Sequence, residues 1–190
     1  MSALAVFDAE GNWGQTLVCT GRIADALRPH GLRFGRWPLV ALAVDASPEQ
    51  IQAAYAPQLA ALGEQFTIRS VDRVRLKPDH AGWPELRAKF IAEHTHADAE
   101  IRFFLGGAGV FYVRTPEGHV GLLCEAGDWV AVPAGTPHFF DALRLFTAPD
   151  GWVAQPTGAA PSRLPLMDAF VVRLADEVGV SGVADEGVVG

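Results

Sequence analysis

The hydrophobic positions of this chain change their spacing near residue 94. Before that point, apolar residues recur every three or four positions in three segments, which places them on one face of an α-helix. We therefore predict helices over residues 22–28, 48–62 and 83–93. Beyond it, short runs rich in Val, Phe, Leu and Ile alternate with Gly, Pro and Asp, a pattern typical of short β-strands joined by turns.

Local signals mark the limits of some of these elements. Ser47 fits a capping box, with Gln50 three residues later and a proline at the first helical position. Pro57 lies inside the same segment and predicts a kink or a division of that helix, because proline lacks the backbone N–H. Thr20 is the candidate cap of the first helix. An alternating pattern also predicts a strand over residues 66–76.

The second pattern predicts an antiparallel β-sandwich or barrel, because several short strands follow one another at regular spacing. The predicted strands cover residues 100–105, 109–114, 119–125, 129–132, 138–140 and 144–147. The predicted order is therefore helices first and a barrel afterwards, followed by a short helix over residues 164–174. We expect one domain over residues 1–180 and a frayed, Gly- and acid-rich end over residues 181–190.

The chain has 190 residues, of which 49% are hydrophobic and 19% charged, the balance of an ordinary soluble globular protein. Its formal net charge of -7 argues against nucleic-acid binding, which needs clustered Lys and Arg. The sequence shows no signal peptide and no membrane-spanning apolar run, so we expect a cytoplasmic protein without a membrane partner. Cys19 and Cys124 are too few for a disulfide framework; we expect two reduced thiols, with one disulfide as the alternative.

Four side chains near and after the change in spacing form a candidate metal site. His94 and His96 are two residues apart, so in an extended strand they point to the same face. Glu100 keeps that parity, and His138 from a later strand would complete the set. Three imidazoles and one carboxylate suit a divalent iron, nickel, copper or zinc ion. On a six-coordinate ion these ligands would leave room for a chelating substrate, unlike a closed structural zinc site.

The candidate ligands lie within two gapped patterns that resemble the two motifs of the cupin superfamily. The first has the form HxH, three residues, Glu, six residues and Gly, and the second has Gly, five residues, Pro, one residue, Gly, two residues and His. The matching positions are His94, His96, Glu100, Gly107, Gly127, Pro133, Gly135 and His138. Ala88 and Ala142 stand where the motifs have Gly and Asn. Both lie outside the ligand set, so they bear on the branch of the superfamily rather than on metal binding.

The segments around these motifs resemble the acireductone dioxygenase family. The similar segments are residues 89–96, 100–104, 107–109, 132–138 and 144–154, and residues 1–4 and 33–37 are similar to bacterial members. The resemblance covers roughly residues 1–158. It implies an all-β cupin core, a double-stranded β-helix or jelly-roll barrel, with N-terminal helices packed on it and a short C-terminal helix.

The resemblance also implies a reaction of methionine salvage. The substrates would be O2 and the acireductone 1,2-dihydroxy-3-keto-5-methylthiopentene, and the cofactor one Fe²⁺ or Ni²⁺ per chain. In this family the iron form yields formate and 4-methylthio-2-oxobutanoate, whereas the nickel form yields formate, carbon monoxide and 3-methylthiopropionate. The expected state of the protein is a monomer.

Roles for further residues follow from the resemblance. Arg102 matches the family's arginine that stabilises the substrate dianion beside the metal, as opposite charges attract strongly in a poorly solvated pocket. Phe90, Arg144 and Trp152 match positions near the substrate pocket, where aromatic side chains would pack the methylthio end. Core packing is the alternative for these three. Glu93 is predicted to be a solvated acid at a helix end rather than a catalytic base.

Three other classes of protein are compatible with a cupin site. Another cupin dioxygenase or a metal-dependent isomerase would use the same ligands, but residues 100–104 and 151–152 favour acireductone dioxygenase. A non-catalytic ligand-binding cupin of a regulator would need a DNA-binding domain, and the sequence shows no helix-turn-helix pattern. Storage cupins often lack metal ligands, whereas all four are present in this sequence.

Overall fold

Most of the described chain belongs to β-strands and short helices. The computed structural model describes residues 1–66, 83–142, 154–160 and 162–179. The strands are β1 (Ala3–Asp8), β2 (Trp13–Leu17), β3 (Arg33–Arg36), β4 (His94–Thr95), β5 (Glu100–Phe103), β6 (Ala108–Thr115), β7 (Gly118–Glu125), β8 (Asp128–Val132), β9 (His138–Ala142) and β10 (Gln155–Pro156). The helices are α1 (Thr20–Leu27), α2 (Pro48–Ala54), α3 (Ala56–Gly63), α4 (Trp83–Ile91) and α5 (Met167–Glu177), with a 3-10 turn at Arg28–His30.

The strands form two antiparallel sheets. The large sheet has seven strands in the order β10-β4-β9-β6-β7-β1-β2, and the small sheet has three in the order β3-β8-β5. The longest pairing joins β6 to β7, from Ala108 opposite Glu125 to Thr115 opposite Gly118. Between them, β4, β9 and β5 carry three of the four candidate metal ligands, so the site depends on strands of both sheets.

Residues of the large sheet alternate between two hydrophobic cores, because successive side chains of a strand point to opposite faces. Phe111 and Val113 of β6 lie in the inner core, where the large sheet packs against β8 and α1. Val110 and Tyr112 of the same strand lie in the outer core and pack with Phe170 of α5. Both faces of the large sheet are therefore covered, and the inner core is the face shared with the metal ligands.

The predicted fold class is confirmed: the core is β-rich, α1 packs on its inner face, and α5 follows it in the sequence. The C-terminal helix begins at Met167, a few residues later than the predicted 164–174. Among the described residues, the hydrogen bonds form two separate sheets rather than a closed barrel. None of the helices in the described ranges has the length and apolar character needed to cross a bilayer.

The predicted order of helices first and strands afterwards was wrong, because three strands precede α2. β1 pairs with both β2 and β7, and β3 joins β8 in the small sheet. The sequence of β1 does not show the alternation of a half-exposed strand, because both of its faces are buried. Ala3, Ala5 and Phe7 lie in the outer core, and Leu4 lies in the inner core. A strand covered on both faces reads as a continuous apolar run without polar alternation.

The helix signals were mostly correct. Ser47 and Gln50 form the predicted capping box at the start of α2. The helix around Pro57 is divided, since α2 and α3 meet at Tyr55. Thr20 was wrong as a cap: it is the first residue of α1, and Cys19 is the N-cap without a side-chain hydrogen bond.

Three predicted segments fall outside the described residues. These are nearly all of the strand over residues 66–76, the strand over residues 144–147, and the end of the chain from residue 181.

Candidate metal centre

Strands of both sheets bring four buried side chains together. His94 of β4 lies opposite His138 of β9 in the large sheet, and Glu100 begins β5 of the small sheet. His96 follows β4 directly. One ligand atom from each residue lies within 4.8 Å of the corresponding atoms of the other three. The four residues are only 2% to 7% exposed. The structure thus places together the four residues that the sequence singled out.

Backbone carbonyl groups fix the orientation of two of the imidazole rings. His94 Nδ1 lies 2.7 Å from the carbonyl oxygen of Ala92, and His138 Nδ1 lies 2.7 Å from that of Thr136. Nδ1 donates its proton to each carbonyl, so Nε2 of a neutral ring carries a lone pair that can bind a metal. Such a hydrogen bond from the second ring nitrogen is the usual support of a metal-bound histidine. At His138, Nε2 also faces Glu100 Oε2 at 2.7 Å and donates to it when the ring is protonated.

Glu100 is the negative charge at the centre of the cluster. Arg102 Nε donates to Glu100 Oε1 at 2.5 Å, and His138 Nε2 lies 2.7 Å from Glu100 Oε2. His96 Nε2 lies 3.3 Å from the same oxygen. Burial alone raises the pKa of Glu100, but Arg102 and the two imidazoles outweigh burial and hold that pKa well below its usual range. The carboxyl group is therefore ionised.

The pKa values of His94 and His138 shift in opposite directions. Burial lowers the pKa of His94. Burial also lowers the pKa of His138, but the hydrogen bond with Glu100, the charge of Glu100 and the hydrogen bond with the Thr136 carbonyl together outweigh burial, so the pKa of His138 is raised overall. An ionised carboxylate and imidazole nitrogens collected in a buried place fit a divalent metal, since buried charges are normally paired or bind metal.

The remaining predicted site residues have different positions. Arg102 lies two residues after Glu100 in β5, and its side chain is 13% exposed. Phe90 of α4 is partly buried and packs against the inner core. Arg144 and Trp152 lie outside the described residues.

The prediction that Glu93 is a solvated acid was wrong. Its side chain is 10% exposed and forms an ion pair with Arg114 of β6. Thr157 Oγ1 donates to Glu93 Oε1 at 2.6 Å. Burial raises the pKa of Glu93, but hydrogen bonds from Arg114 and Thr157 outweigh burial and lower that pKa overall. Strand parity indicates that Glu93 points away from His94, but the sequence has no signal for the partners it meets there.

A model of the ARD/ARD′ family matches residues 44–154, a range that contains all four clustered residues. The chain belongs to the ARD/ARD′ family. Curated relatives named acireductone dioxygenase support this membership. The relative from a Synechococcus strain is 47% identical over 76% of this chain and 86% of its own length. The relative from Marinobacter nauticus is 39% identical over 90% of this chain and 98% of its own length.

A solved structure agrees with this ARD/ARD′ fold. It is an acireductone dioxygenase from Bacillus anthracis with a cadmium ion in its active centre. The two share a TM-score of 0.66 and 23% sequence identity, covering 81% of this chain and 97% of the other. At that identity the likeness establishes the cupin-like fold, while the family match and the curated relatives establish the ARD/ARD′ membership.

Proposed function

We propose that this ARD/ARD′ protein is an acireductone dioxygenase, a metal-dependent enzyme that oxidises an acireductone with O2. The observation that carries the proposal is the buried group of three histidines and one glutamate, whose ligand atoms lie within 4.8 Å of one another. Relatives of that name, 39% to 47% identical over most of this chain, support it. The substrate we propose is 1,2-dihydroxy-3-keto-5-methylthiopentene, in the methionine salvage pathway.

His94, His96, Glu100 and His138 would hold the metal. Imidazole and carboxylate donors bind both iron and nickel, so we infer one Fe²⁺ or Ni²⁺ per chain. When bound, the metal would supply a Lewis acid and a template for a chelating substrate. The backbone hydrogen bonds of His94 and His138 orient the rings for that task without competing for Nε2.

Arg102 is the proposed electrostatic catalyst. Its guanidinium group stands beside Glu100, 13% exposed, at a place where a deprotonated enediol would bring further negative charge. A fixed positive group in a poorly solvated site stabilises such charge more strongly than water does. The same group keeps Glu100 ionised and therefore available to a metal.

Three further residues complete the proposal for the substrate pocket. Phe90, Arg144 and Trp152 are our candidates for contacts with the substrate, with the aromatic rings near the methylthio end. Phe90 is the one of them that the structure describes, and its packing against the inner core supports an apolar wall on that side. We also propose that the enzyme acts as a single-domain, cytoplasmic monomer.

The decisive experiment loads the metal-free protein separately with Fe²⁺ or Ni²⁺ under anaerobic conditions and then adds the acireductone and O2. We expect both forms to consume the acireductone, the iron form giving formate and 4-methylthio-2-oxobutanoate. The nickel form is expected to give formate, 3-methylthiopropionate and carbon monoxide. Metal content, acireductone absorbance, keto acid and carbon monoxide are measured on the same samples.

The matched control is His138→Ala, which removes one ligand without touching the sheet register. We expect a folded protein that no longer retains stoichiometric metal and no longer consumes the acireductone. A loaded wild-type protein that leaves the acireductone intact would refute the proposed activity. A variant with full metal content would remove His138 from the ligand set.

A further inference from the structure

A network on the outer face of the large sheet joins the residues that precede two of the clustered histidines. Glu93 precedes His94, and Pro137 precedes His138. Arg114 of β6 contacts both of these preceding residues. Its Nε donates to Glu93 Oε2 at 2.9 Å and its Nη2 donates to Glu93 Oε1. Its backbone N–H donates to the carbonyl oxygen of Pro137 at 3.0 Å.

The strand that carries His94 has few hydrogen bonds of its own. β4 is two residues long, and its pairing with β9 consists of His94 opposite His138. On its other side it pairs with the equally short β10. A strand of this length is held weakly by its ladder, so contacts of neighbouring side chains contribute more to its position.

Glu93 is such a contact, because it is held from two directions. Thr157 donates to it twice, from its backbone N–H to the Glu93 carbonyl oxygen at 3.2 Å and from its Oγ1 to the carboxylate at 2.6 Å. Arg114 binds the same carboxylate with two guanidinium nitrogens, a geometry that fixes direction as well as distance. The side chain of Glu93 is 10% exposed and that of Arg114 is 45% exposed, so water reaches this ion pair mainly from the arginine side.

The orientation of Glu93 sets that of His94. Successive residues of an extended chain point to opposite faces, so a carboxylate fixed on the outer face fixes the peptide that follows it. That peptide determines where the His94 ring enters the inner face. Arg114 is also next to Val113, which lies opposite His138 in the pairing of β6 with β9. Position 114 of β6 thus contacts the residue before each of these two histidines, through its side chain for Glu93 and through its backbone N–H for Pro137.

We propose that Arg114 is a positioning residue of the metal centre: its side chain, through Glu93, holds His94 in place relative to β6, the strand whose backbone N–H at the same position also hydrogen-bonds the residue before His138. The inference rests on the proposed function in one respect, namely that the four-residue cluster binds a metal. Arg114 itself would touch neither metal nor substrate, since it lies across the sheet from the cluster.

The test measures Co²⁺ binding to Arg114→Gln, Glu93→Gln and Arg114→Lys, starting from metal-free full-length protein. The readouts are the Co²⁺ dissociation constant by chelator competition, the visible d–d spectrum of the Co²⁺ form, and the melting temperature of the metal-free protein. We expect Arg114→Gln and Glu93→Gln each to weaken Co²⁺ binding about tenfold and to alter the spectrum; this is the lower end of the range for groups that hydrogen-bond a metal ligand directly, because Arg114 and Glu93 act through the backbone. Arg114→Lys keeps the charge but not the two-pronged contact and is expected to recover part of the affinity.

The control for a general loss of stability is Arg36→Gln. Arg36 makes a comparable connection between strands, to Glu125, Ser2 and Asp128, away from the metal centre. We expect this variant to lower the melting temperature while its Co²⁺ dissociation constant stays within about twofold of wild type, as for independent sites.

The outcomes separate the two proposals. Wild-type affinity and spectrum in Arg114→Gln would overturn the positioning role, and so would an equal loss of affinity in Arg36→Gln. If Arg114→Gln fails to fold, unchanged Co²⁺ binding in Glu93→Gln overturns the role in the same way. A wild-type protein that binds Co²⁺ tightly but leaves the acireductone intact when loaded with Fe²⁺ or Ni²⁺ would refute the proposed activity, while the Co²⁺ affinities of the variants still decide the role of Arg114.

Discussion

At the scale of single residues, Arg102 combines two electrostatic effects. It lies on the same face of β5 as Glu100 and donates to that carboxylate at 2.5 Å. Its positive charge is thus the main factor that opposes the effect of burial on the pKa of Glu100. The same charge would face a deprotonated substrate. The two effects can be separated, because one concerns the ligand set and the other the reaction.

We predict that Arg102→Ala retains metal but loses turnover. The three histidines and Glu100 remain, so metal content after loading should stay near stoichiometric. The value of kcat should fall by about a hundredfold to a thousandfold, the cost of removing one preorganised charge-stabilising group. The measurement is kcat together with metal content on the same sample. Arg33→Ala, in β3 of the same sheet, is the control and should keep its kcat; equal kcat for wild type and Arg102→Ala would exclude the role.

The clustered residues were predictable from the sequence, while the support of the cluster was not. The parity of His94, His96 and Glu100, together with the spacing of the second motif, indicated which residues converge. The partners of Glu93 carry no such signal, since Thr157 lies 64 residues further along the chain and Arg114 lies 21 residues further. Contacts of that kind depend on which strands become neighbours, and local sequence patterns do not indicate the order of strands in a sheet.

At the scale of elements, local chemistry predicted helix limits better than strand identity. The start of α2 follows from a capping box, and the break before α3 follows from a proline, which are both short-range effects. β1 was missed because it lies between two cores, so its apolar run lacks the alternation of a half-exposed strand. Packing on both faces determines that these residues form a strand, and the sequence of β1 alone carries no signal of that packing.

We predict that the Ser47 cap contributes measurably to stability. Its side chain accepts a hydrogen bond from the Gln50 N–H, and Gln50 Oε1 accepts one from the Ser47 N–H at 2.8 Å. Ser47→Ala removes the acceptor and should lower the free energy of unfolding by about 1 kcal/mol, measured by urea denaturation. Ser47→Thr keeps the hydroxyl group and should recover most of the loss. Identical stability of Ser47→Ala and wild type would show that α2 does not need the cap.

At the scale of the whole molecule, the two faces of the large sheet differ: candidate metal ligands lie on the inner face, and contacts that stabilise the fold lie on the outer face. The inner face carries two of the four candidate metal ligands, His94 and His138, and the outer face packs on α5. β9 connects the two faces, since His138 points inward while Asp141 is buried on the other side. Asp141 is 1% exposed and accepts from Arg87 of α4 at 2.8 Å through both carboxylate oxygens. Met167 N–H, at the start of α5, donates to the same carboxylate at 2.8 Å.

The buried carboxylate of Asp141 therefore connects α4, the large sheet and α5. We predict that Asp141→Asn lowers the free energy of unfolding by about 1–3 kcal/mol. The variant keeps the shape of the side chain but removes the charge that pairs with Arg87 and places an N–H₂ group where a donor already points. Urea denaturation of the metal-free protein measures the loss, and a double-mutant cycle with Arg87→Gln should show coupling because the two residues share one contact. Asp25→Asn is the control, since its ion pair with Arg28 is exposed and should change stability by less than about 0.5 kcal/mol. Additive effects of Asp141→Asn and Arg87→Gln would mean that α4 is held to the sheet by its apolar contacts instead.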